Sequence, residues 1–325
     1  MEAFRWCFIG TGTLAKIVAK QLLATGRHRI VSCYTRNYEK ALSFASSFQA
    51  KAFESAEEAI SAEGVDGVYI VTPHNAHFRF AKKALLLGKP VFLEKPFTVT
   101  AEETKELIEL AKEKNVYLAE AMWTWFSPVA HKVKEWIDEK KCGKILSADF
   151  TYHLNSIRYA PRVADPKRAG GALLDITIYP ITYAYRLWGK PSRIEAKARL
   201  ENGIDLSEEI LFHYEEGFSV SVSGSIVDFK GLEKMKIRGE EGTISSYFYH
   251  CQNKVGFRKD RFHKESFHGK GGMFLSYVEE FDAVAQDIRE GRKESSLVPL
   301  EATYEVMLLL DEIRKLIGLE YENLE

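Results

Sequence analysis

The chain has 325 residues, of which 46% are hydrophobic and 28% charged, so it is long enough for two domains with apolar cores. A formal net charge of −1 gives no reason to expect nucleic acid or an anionic membrane as a partner. No apolar stretch approaches the ~20 residues that cross a bilayer, and the chain begins on a strand pattern without the features of a signal peptide. The four cysteines are far apart and form no Cys-x-x-Cys pair, so we interpret them as reduced thiols of a cytoplasmic protein.

Strand and helix signals alternate over the first 120 residues. Such alternation is typical of a parallel sheet with helices on both faces. Six strands with a glycine-rich first turn predict a complete dinucleotide-binding (Rossmann) domain. The predicted strands are Phe4–Ile9, Ile30–Tyr34, a weak strand near Ala52, Val68–Val71, Val91–Leu93 and Val116–Ala119. The predicted helices are Thr13–Thr25, Glu39–Ser47, a short helix from Ser55 to about Ala62, Ala76–Leu87 and a helix capped by Thr100.

The pattern changes after residue 120. Consecutive strands without helices between them predict a large, mainly antiparallel open sheet, so we assign residues 1–122 to the Rossmann domain and residues 123–325 to an α+β domain for substrate binding and oligomerisation. The predicted strands are Leu146–Leu154, Ser192–Leu200, Ser207–Tyr214, Phe218–Val227, Glu233–Arg238, Gly242–Tyr249 and Lys254–Phe257. The predicted helices run from about Pro128 to Lys140, Phe274 to Glu290 and Glu301 to Ile317, and His263–Gly272 is predicted to be a mobile loop.

A glycine motif follows the first strand and opens the first helix: Gly10-Thr11-Gly12-Thr13-Leu14-Ala15. Gly10 allows a tight turn, and Gly12 lets the backbone approach a pyrophosphate. Because the helix N-terminus then faces the phosphates, the motif predicts a dinucleotide site. A tight strand–helix turn without a ligand is the alternative.

The end of the second strand indicates which nucleotide is bound. About 20 residues after the glycine turn, an acidic residue would bind the ribose hydroxyls of NAD. This chain has Thr35 and Arg36 there instead. A guanidinium group can pair with a 2′-phosphate and stack on adenine, which favours NADP(H) over NAD(H). A solvent-facing arginine is the alternative.

Two more strand ends are predicted to lie at the same edge of the sheet. After the fourth strand, Thr72, Pro73 and Asn75 can line the path of the cofactor, and His77 can cap or orient the loop. No further cluster of metal-ligating residues accompanies the loop, so no metal site is predicted. The fifth strand stops at Glu94-Lys95-Pro96, and ligands of open α/β sheets bind at such carboxyl ends.

The combined motifs resemble the glucose–fructose oxidoreductase / inositol dehydrogenase (Gfo/Idh/MocA) family of NAD(P)-dependent oxidoreductases, and most closely its dimeric dihydrodiol dehydrogenase branch. The resemblance covers essentially the whole chain. It implies that Glu94 and Lys95 lie beside the nicotinamide, and that Asp175 and Tyr179 face the substrate site. Many members have histidine where this chain has Tyr179, and often glycine where it has Thr177. The motifs are Gly10-Thr11-Gly12, Thr72-Pro73-His74-Asn75-Ala76-His77, Glu94-Lys95-Pro96, Ala119-Glu120-Ala121-Met122-Trp123-Thr124 and Gly170-Gly171-Ala172-Leu173-Leu174-Asp175 with Ile176-Thr177-Ile178-Tyr179-Pro180.

The chemistry of these residues can also be argued directly. Asp175 and Tyr179 are four positions apart, so on a helix they share one face. Oxidation of an alcohol by hydride loss requires removal of the hydroxyl proton, and a tyrosine with an ordinary pKa near 10 needs help to act as a base. A nearby ammonium stabilises the phenolate. We therefore predict Tyr179 as acid and base, assisted by Lys95, with Asp175 either orienting the pair or holding Lys95 charged.

Aromatic residues at the predicted domain boundary suit sugar faces, diols and aromatic rings. Trp123 is predicted to line the substrate pocket, whereas Trp125 and Phe126 could equally be buried between domains. Arg158 and Tyr159, in a long irregular stretch with Arg162, can cover the site or bind an anionic group.

The outer face of the antiparallel sheet is predicted to be apolar, with Phe212, Val220 and Val222, and to be buried in a homodimer or higher homo-oligomer.

The sequence thus predicts an NADP(H)-dependent oxidoreductase that acts on a hydroxyl or carbonyl of a sugar, polyol or cyclic trans-diol. The alternatives are a sugar oxidoreductase that keeps its cofactor tightly bound, and a regulator that senses NADP(H) without turnover. A sensor needs the glycine turn but neither Lys95 nor Tyr179, so the presence of both favours the enzyme.

Overall fold

The computed structural model describes residues 2–230, 232–251, 253–270 and 277–321. The chain divides into two compact units. The first unit contains the chain up to Phe126 and a later segment that ends at Tyr304. The second unit begins at Ser127 and also contains the C-terminal part of the chain from Glu305. Each unit contains one sheet.

The first unit has a six-stranded parallel sheet in the order β3-β2-β1-β4-β5-β6, as predicted for a Rossmann domain. The order reverses between β1 and β4, and ligands of such sheets bind at this switch point, outside the carboxyl ends of the strands. The strands are β1 (Phe4–Ile9), β2 (His28–Tyr34), β3 (Lys51–Ala52), β4 (Gly67–Ile70), β5 (Val91–Glu94) and β6 (Leu118–Ala121). The helices between them are α1 (Thr13–Ala24), α2 (Tyr38–Phe48), α3 (Ala56–Ile60), α4 (His77–Leu86) and α5 (Ala101–Lys114).

The second unit has an eight-stranded sheet in the order β14-β13-β12-β11-β7-β10-β9-β8. All neighbours are antiparallel except β7 and β10, which confirms the predicted mainly antiparallel sheet. The elements are α6 (Pro128–Asp138), β7 (Ile145–His153), α7 (Ile178–Trp188), β8 (Arg193–Glu201), β9 (Ile204–His213), β10 (Ser219–Ser225), β11 (Glu233–Gly239), β12 (Gly242–Tyr247), β13 (Lys254–Arg258) and β14 (Lys264–His268).

The strand β14 corrects the prediction of a mobile loop from His263. Its five residues pair antiparallel with β13 from Lys264 to His268. They contain one apolar residue, Phe267, among charged and polar ones, a composition that suits an edge strand but gives little strand signal. Residues 271 and 272 of the predicted loop lie outside the described residues.

The helix α8 (Val278–Arg289) belongs to the first unit, whereas the predicted division placed everything after residue 122 in the second domain. Its Phe281 is fully buried and packs edge-on against Trp6, Tyr69 and Phe92 of the Rossmann sheet. Burial of this aromatic ring explains why the segment returns to the first unit. The predicted start of the helix near Phe274 lies outside the described residues. The last helix, α9 (Leu300–Leu316), begins in the first unit and ends in the second.

The outer face of the large sheet is polar, so the predicted apolar face was wrong. Phe212, Val220 and Val222 are fully buried within the chain. Their strands alternate, and the opposite face carries polar residues such as Ser221 and Glu209. The inner face packs on α7, where Phe150 of β7 contacts the rings of Tyr183 and Trp188. The apolar residues named from the sequence are therefore core residues of a single chain.

Candidate cofactor and active site

The glycine turn lies at the switch point of the Rossmann sheet. Gly10 has φ of +107°, and its N–H donates to the carbonyl of Tyr34 at 2.8 Å. A Cβ at this position would lie 2.6 Å from the carbonyl oxygen of Val71. Only glycine therefore fits here, because both the backbone angle and the approach of the neighbouring strand exclude a side chain.

The N-terminus of α1 has the properties of an anion site. Gly12 is its N-cap and supplies no side-chain cap, and the first turn contains no acidic residue. A Cβ on Gly12 would meet nothing within 4 Å, so the space above the backbone is open. By contrast, side chains cap the helices α2, α3 and α5. The open, uncapped N–H groups of a 12-residue helix fit a pyrophosphate.

A second observation at this edge fits a bound nucleotide. The hydroxyl of Thr72 is buried and has no hydrogen-bond partner among the described residues. Thr72 and Pro73 are half-buried, as is Asn75 in the 3₁₀ turn that follows. Thr11 is buried, Leu14 is half-buried, and Thr13 is exposed. Thr35 is half-buried and Arg36 is exposed directly after β2, where the sequence placed them.

His77 ties two loops of this edge together. Its Nδ1 lies 2.8 Å from the carbonyl oxygen of Pro96, and its Nε2 lies 3.0 Å from that of Thr72. The ring is fully buried. Of the two predicted roles for His77, capping or orienting the loop, these contacts suit the second.

The Glu94-Lys95 pair closes β5. The carboxylate of Glu94 is buried, accepts the hydroxyl of Tyr69 at 2.6 Å and accepts the backbone N–H of Lys95 at 3.2 Å. Burial, and then the charge of Glu94, raises the pKa of Tyr69 well above its ordinary value. Glu94 is therefore engaged inside the unit, while Lys95 is half-buried at the carboxyl end of the strand.

A second buried carboxyl group, Glu280 of α8, was not predicted. Its oxygens have no hydrogen-bond partner among the described residues. Burial, and then the charge of Glu94, raises the pKa of Glu280 well above its ordinary value. A glutamate in a helical pattern gives no sequence signal of burial, so this residue could not have been found without the fold.

The predicted substrate residue Trp123 stacks on a partner that the sequence did not suggest. The rings of Trp123 and Tyr277 are 4.6 Å apart and 19° from parallel. Both side chains are half-buried, whereas Trp125 and Phe126 are buried. An aromatic pair of this kind offers a flat apolar face beside a polar hydroxyl.

In the second unit, Asp175 and Tyr179 lie on a helix whose start is irregular. Leu173–Thr177 forms one π-helical turn, and α7 follows directly. Both residues are buried. The predicted helix is present, but the wider π turn changes the simple four-residue spacing on which the prediction rested.

Two buried carboxyl groups hold this turn. Gly171 has φ of +116°, and a Cβ there would collide with the carboxylate of Asp205, which also accepts the N–H of Leu173 at 2.5 Å. The hydroxyl of Thr177 donates to Glu208 at 2.6 Å. Burial raises the pKa of both Asp205 and Glu208.

Thr177 stands where many family members have glycine, and a glycine in a neighbouring strand makes room for its side chain. A Cβ on Gly224 of β10 would collide with the Thr177 hydroxyl, so the threonine fits because its neighbour is glycine.

The irregular stretch before Gly170 lies partly on the surface. Arg158 is exposed, and Tyr159 is 72% exposed. Arg162, which the sequence grouped with them, donates to Asp175 at 3.4 Å. The structure therefore brings the third residue of the group, and not the first two, to a predicted catalytic side chain.

Two further side chains, Tyr152 and His250, flank Tyr179. The ring of Tyr179 lies 5.8 Å from that of Tyr152 and 5.5 Å from that of His250, centroid to centroid. Neither residue belongs to the family motifs quoted above, and their strand patterns gave no sign of a shared site.

A parallel sheet with an open glycine turn at its switch point, joined to an α+β unit that carries buried acidic and tyrosine side chains, defines a dinucleotide-dependent oxidoreductase. Residues 4–122 match the GFO_IDH_MocA family model, an oxidoreductase family with an NAD-binding Rossmann fold, and residues 130–245 match the GFO/IDH/MocA C-terminal domain. The chain belongs to this family and is an NAD(P)-dependent oxidoreductase that acts on CH–OH groups.

Characterised relatives resemble the chain over nearly its full length. Trans-1,2-dihydrobenzene-1,2-diol dehydrogenase of Mus musculus is 30% identical over 334 residues, with 98% of both chains covered. D-xylose 1-dehydrogenase (NADP(+)) of Hypocrea jecorina is 27% identical, with 98% of this chain and 93% of the relative covered. The fold is similar to that of levoglucosan dehydrogenase in complex with NADH and levoglucosan, with a TM-score of 0.82, 21% identity and 97% of each chain covered. The predicted family and branch are confirmed.

Proposed function

We propose that this protein transfers a hydride between NADP(H) and a hydroxyl or carbonyl carbon of a sugar, polyol or cyclic trans-diol. The substrate class is supported by full-length similarity to a dihydrodiol dehydrogenase and a xylose dehydrogenase. The open N-terminus of α1 and the unpartnered hydroxyl of Thr72 support the dinucleotide. Because the chain belongs to an oxidoreductase family, we favour an enzyme over a regulator that senses NADP(H) without turnover.

Tyr179 is the proposed acid and base. It removes the hydroxyl proton of the alcohol during oxidation and returns a proton to the carbonyl oxygen during reduction. Lys95 holds the same oxygen and, as an ammonium, stabilises the phenolate form of the tyrosine. The nicotinamide, when bound, supplies or accepts the hydride. Asp175, which accepts a hydrogen bond from Arg162 and lies in the same helical segment as Tyr179, orients the Lys95–Tyr179 pair.

The preference for NADP(H) rests on Thr35 and Arg36. An exposed guanidinium group directly after β2 can meet a 2′-phosphate, and no acidic side chain precedes Glu39 to bind the ribose hydroxyls of NAD. The relatives leave this choice open, because one name includes NADP(+) and one complex contains NADH. The ratio of the dissociation constants for NADPH and NADH tests the preference, and equal values would contradict it.

The catalytic roles are tested with two variants, Lys95→Met and Tyr179→Phe. Turnover is measured with NADP⁺ over a panel of polyols and trans-diols that includes D-xylose and trans-cyclohexane-1,2-diol. Both variants should lose turnover, by at least the roughly 10²-fold typical of general acid–base groups, and should keep NADPH affinity. Tyr247→Phe is the matched control, because this exposed tyrosine of β12 is not among the proposed site residues. Turnover at the wild-type rate in either variant would remove that residue from the mechanism.

We also propose a homodimer or higher homo-oligomer that forms through the large sheet, in a cytoplasmic protein. The outer face of the sheet would meet a second copy through polar contacts, with Tyr247 as an exposed aromatic group. The thiols of all four cysteines are free, which agrees with a reducing compartment. In the part of the chain that the structure describes, no helix is long and apolar enough to span a membrane. A monomer by light scattering at micromolar concentration would contradict the oligomer.

A further inference from the structure

A buried carboxylate, an imidazole and a phenol form a hydrogen-bonded chain in the second unit. Glu233, the first residue of β11, is 2% exposed. One of its oxygens accepts the backbone N–H of His250 at 2.5 Å, and the other lies 2.5 Å from Nδ1 of the same histidine. The second ring nitrogen, Nε2, lies 3.3 Å from the hydroxyl oxygen of Tyr152. The chain therefore runs Glu233–His250–Tyr152.

The carboxylate fixes the direction of these hydrogen bonds. A carboxylate only accepts, so Nδ1 of His250 carries the proton and donates it to Glu233. In the neutral imidazole Nε2 is then an acceptor, and the Tyr152 hydroxyl donates to it. Burial, and then the negative charge of Glu233, raises the pKa of the neighbouring Tyr249 and Cys251. A carboxylate that orients an imidazole towards a hydroxyl is the arrangement that activates hydroxyl groups in enzymes.

The hydrogen-bonded series ends at Tyr152, whose ring lies near that of Tyr179, the proposed acid and base. The ring of Tyr152 stacks on His250 at 4.8 Å and 27°, and Tyr179 lies within 5.8 Å of both rings. Tyr152 and Tyr179 are more than nine-tenths buried. The side chain of His250 is 17% exposed, so among these three rings it is the most accessible to solvent. A buried tyrosine that takes up a proton in each turnover needs such a route to water.

A metal site is the competing use of these residues. Glu233, His250 and Cys251 each place one potential ligand atom within 4.8 Å of the others. Burial, and then the charge of Glu233, raises the pKa of the Cys251 thiol, and a metal would have to displace the proton of that thiol. Both oxygens of Glu233 are already engaged with His250. The cluster therefore suits proton transfer better than metal binding.

We propose that Tyr152, His250 and Glu233 form a proton relay that connects Tyr179 with solvent. During oxidation, Tyr179 takes the substrate proton. The Tyr179 hydroxyl then passes a proton, directly or through a bridging water molecule, to the Tyr152 oxygen as Tyr152 gives its own proton to Nε2 of His250. The resulting imidazolium, paired with the Glu233 carboxylate, releases the proton to water, and the reverse sequence supplies a proton for reduction. The relay rests on the proposed role of Tyr179.

The hydrogen-bond directions can be tested without substrate. In imidazole ¹⁵N NMR of the full chain, the signal that disappears in His250→Asn should show the Nδ1–H tautomer. Glu233→Gln should change the tautomer balance of that signal. A wild-type His250 with its proton on Nε2 would overturn the relay.

The function of the relay is tested by kinetics with NADP⁺ and the better of two probe substrates, D-xylose and trans-cyclohexane-1,2-diol. Tyr152→Phe and His250→Ala should lower kcat by roughly tenfold or more, with KM little changed and the first turnover preserved. Added imidazole should raise kcat of His250→Ala but not that of Tyr152→Phe. His263→Ala, at an exposed histidine paired with Asp260, is the matched control and should respond to neither test.

The outcomes separate the relay from the proposed function. If Tyr179→Phe keeps turnover, the assignment of Tyr179 is wrong and the relay falls with it. If Tyr179→Phe is inactive while Tyr152→Phe and His250→Ala keep the wild-type kcat, only the relay is wrong. A zinc-dependent rise in melting temperature that His250→Ala abolishes would favour the metal site and overturn the relay.

Discussion

Glu280 is a carboxyl group in the core of the first unit, and its ionisation opposes folding. Burial raises the pKa of Glu280 in the folded protein well above the value in an unfolded chain. The folded state therefore binds a proton that the unfolded state has released, over the pH range between the two pKa values. The stability that this group allows is fully present below the ordinary carboxyl pKa and is lost as the pH rises through the folded pKa.

Glu280→Gln should remove this pH dependence, because glutamine has a similar shape and stays neutral. The free energy of unfolding of the wild type should fall by up to about 1.4 kcal/mol per pH unit above the ordinary carboxyl pKa. The variant should lack that slope and be the more stable protein at pH 8. Urea unfolding at pH 5 to 8 measures the difference. Glu312→Gln, at an exposed position of α9, should leave the slope unchanged, and parallel curves for wild type and Glu280→Gln would contradict the prediction.

Arg36 is the residue on which the choice of cofactor depends. Arg36→Ser should weaken NADPH binding by roughly 10- to 100-fold, which corresponds to about 1.5–3 kcal/mol for a hydrogen bond to a charged group. The affinity for NADH should change little, because NADH has no 2′-phosphate. Fluorescence titration with both nucleotides measures the effect. Arg29→Ser, at an exposed arginine within β2, is the control, and an equal loss for the two nucleotides would disprove a 2′-phosphate contact.

Some of the residues at this scale could be predicted from sequence and others could not. Gly10 was recognisable because strand, turn and helix signals surround it locally. The position of Lys95 at a strand end could be predicted because an apolar run stops just before a proline, whereas its role in the site stays a prediction. Glu280 and His250 were missed because their environment is made by elements distant in sequence, and a single polar residue has no periodicity of its own.

At the scale of elements, α1 combines an exposed N-terminus with no side-chain cap. An acidic N-cap would stabilise the helix but repel a pyrophosphate, whereas a methyl group would occupy the space that the phosphates need. The chain therefore gives up a stabilising cap, worth roughly 1 kcal/mol, at the helix that faces the cofactor.

Gly12→Asp and Gly12→Ala should both fold and both bind NADPH poorly. The backbone of Gly12 has φ of −73°, which other residues adopt, and a Cβ meets nothing within 4 Å. The melting temperature without nucleotide should thus be unchanged or, for Gly12→Asp, raised. Calorimetric titration should show at least about tenfold weaker binding for both variants. Ser55→Asp adds the same charge at the N-cap of α3 and should bind normally; normal binding by either Gly12 variant would place the pyrophosphate elsewhere.

The elements that sequence patterns identified well are those with strong local signals. The parallel strands and their helices were placed within a few residues of their observed ends, because apolar runs and caps mark both. The edge strand β14 and the π turn at Leu173–Thr177 were missed, since the first has a polar sequence and the second depends on a buried carboxylate from β9. The face of the large sheet was misassigned because alternation shows which residues share a face, and not which face is covered.

At the scale of the whole molecule, the chain order does not follow the order of the units. The first unit needs α8, which lies more than 150 residues after β6 in sequence, to cover Trp6, Tyr69 and Phe92. The local sequence does not predict that α8 packs in the first unit, because its apolar stripe would suit either unit. The sequence therefore predicted two domains that are each continuous in the chain. The structure differs because Phe281 of α8 packs into the aromatic core of the first unit.

A fragment that ends at Phe126 should consequently fail to fold as an independent Rossmann domain. Without Phe281 the fragment loses the ring that packs on three buried aromatic side chains, a change of the kind that costs about 3–5 kcal/mol when phenylalanine is replaced by alanine. Such a loss is comparable with the whole stability of a small domain. The fragment should therefore bind a hydrophobic dye and show no cooperative urea transition. Joining residues 1–126 to residues 277–304 through a flexible glycine–serine linker should restore cooperative unfolding and NADPH binding. Cooperative unfolding of the shorter fragment at the same denaturant midpoint would show that α8 is not part of the folding unit.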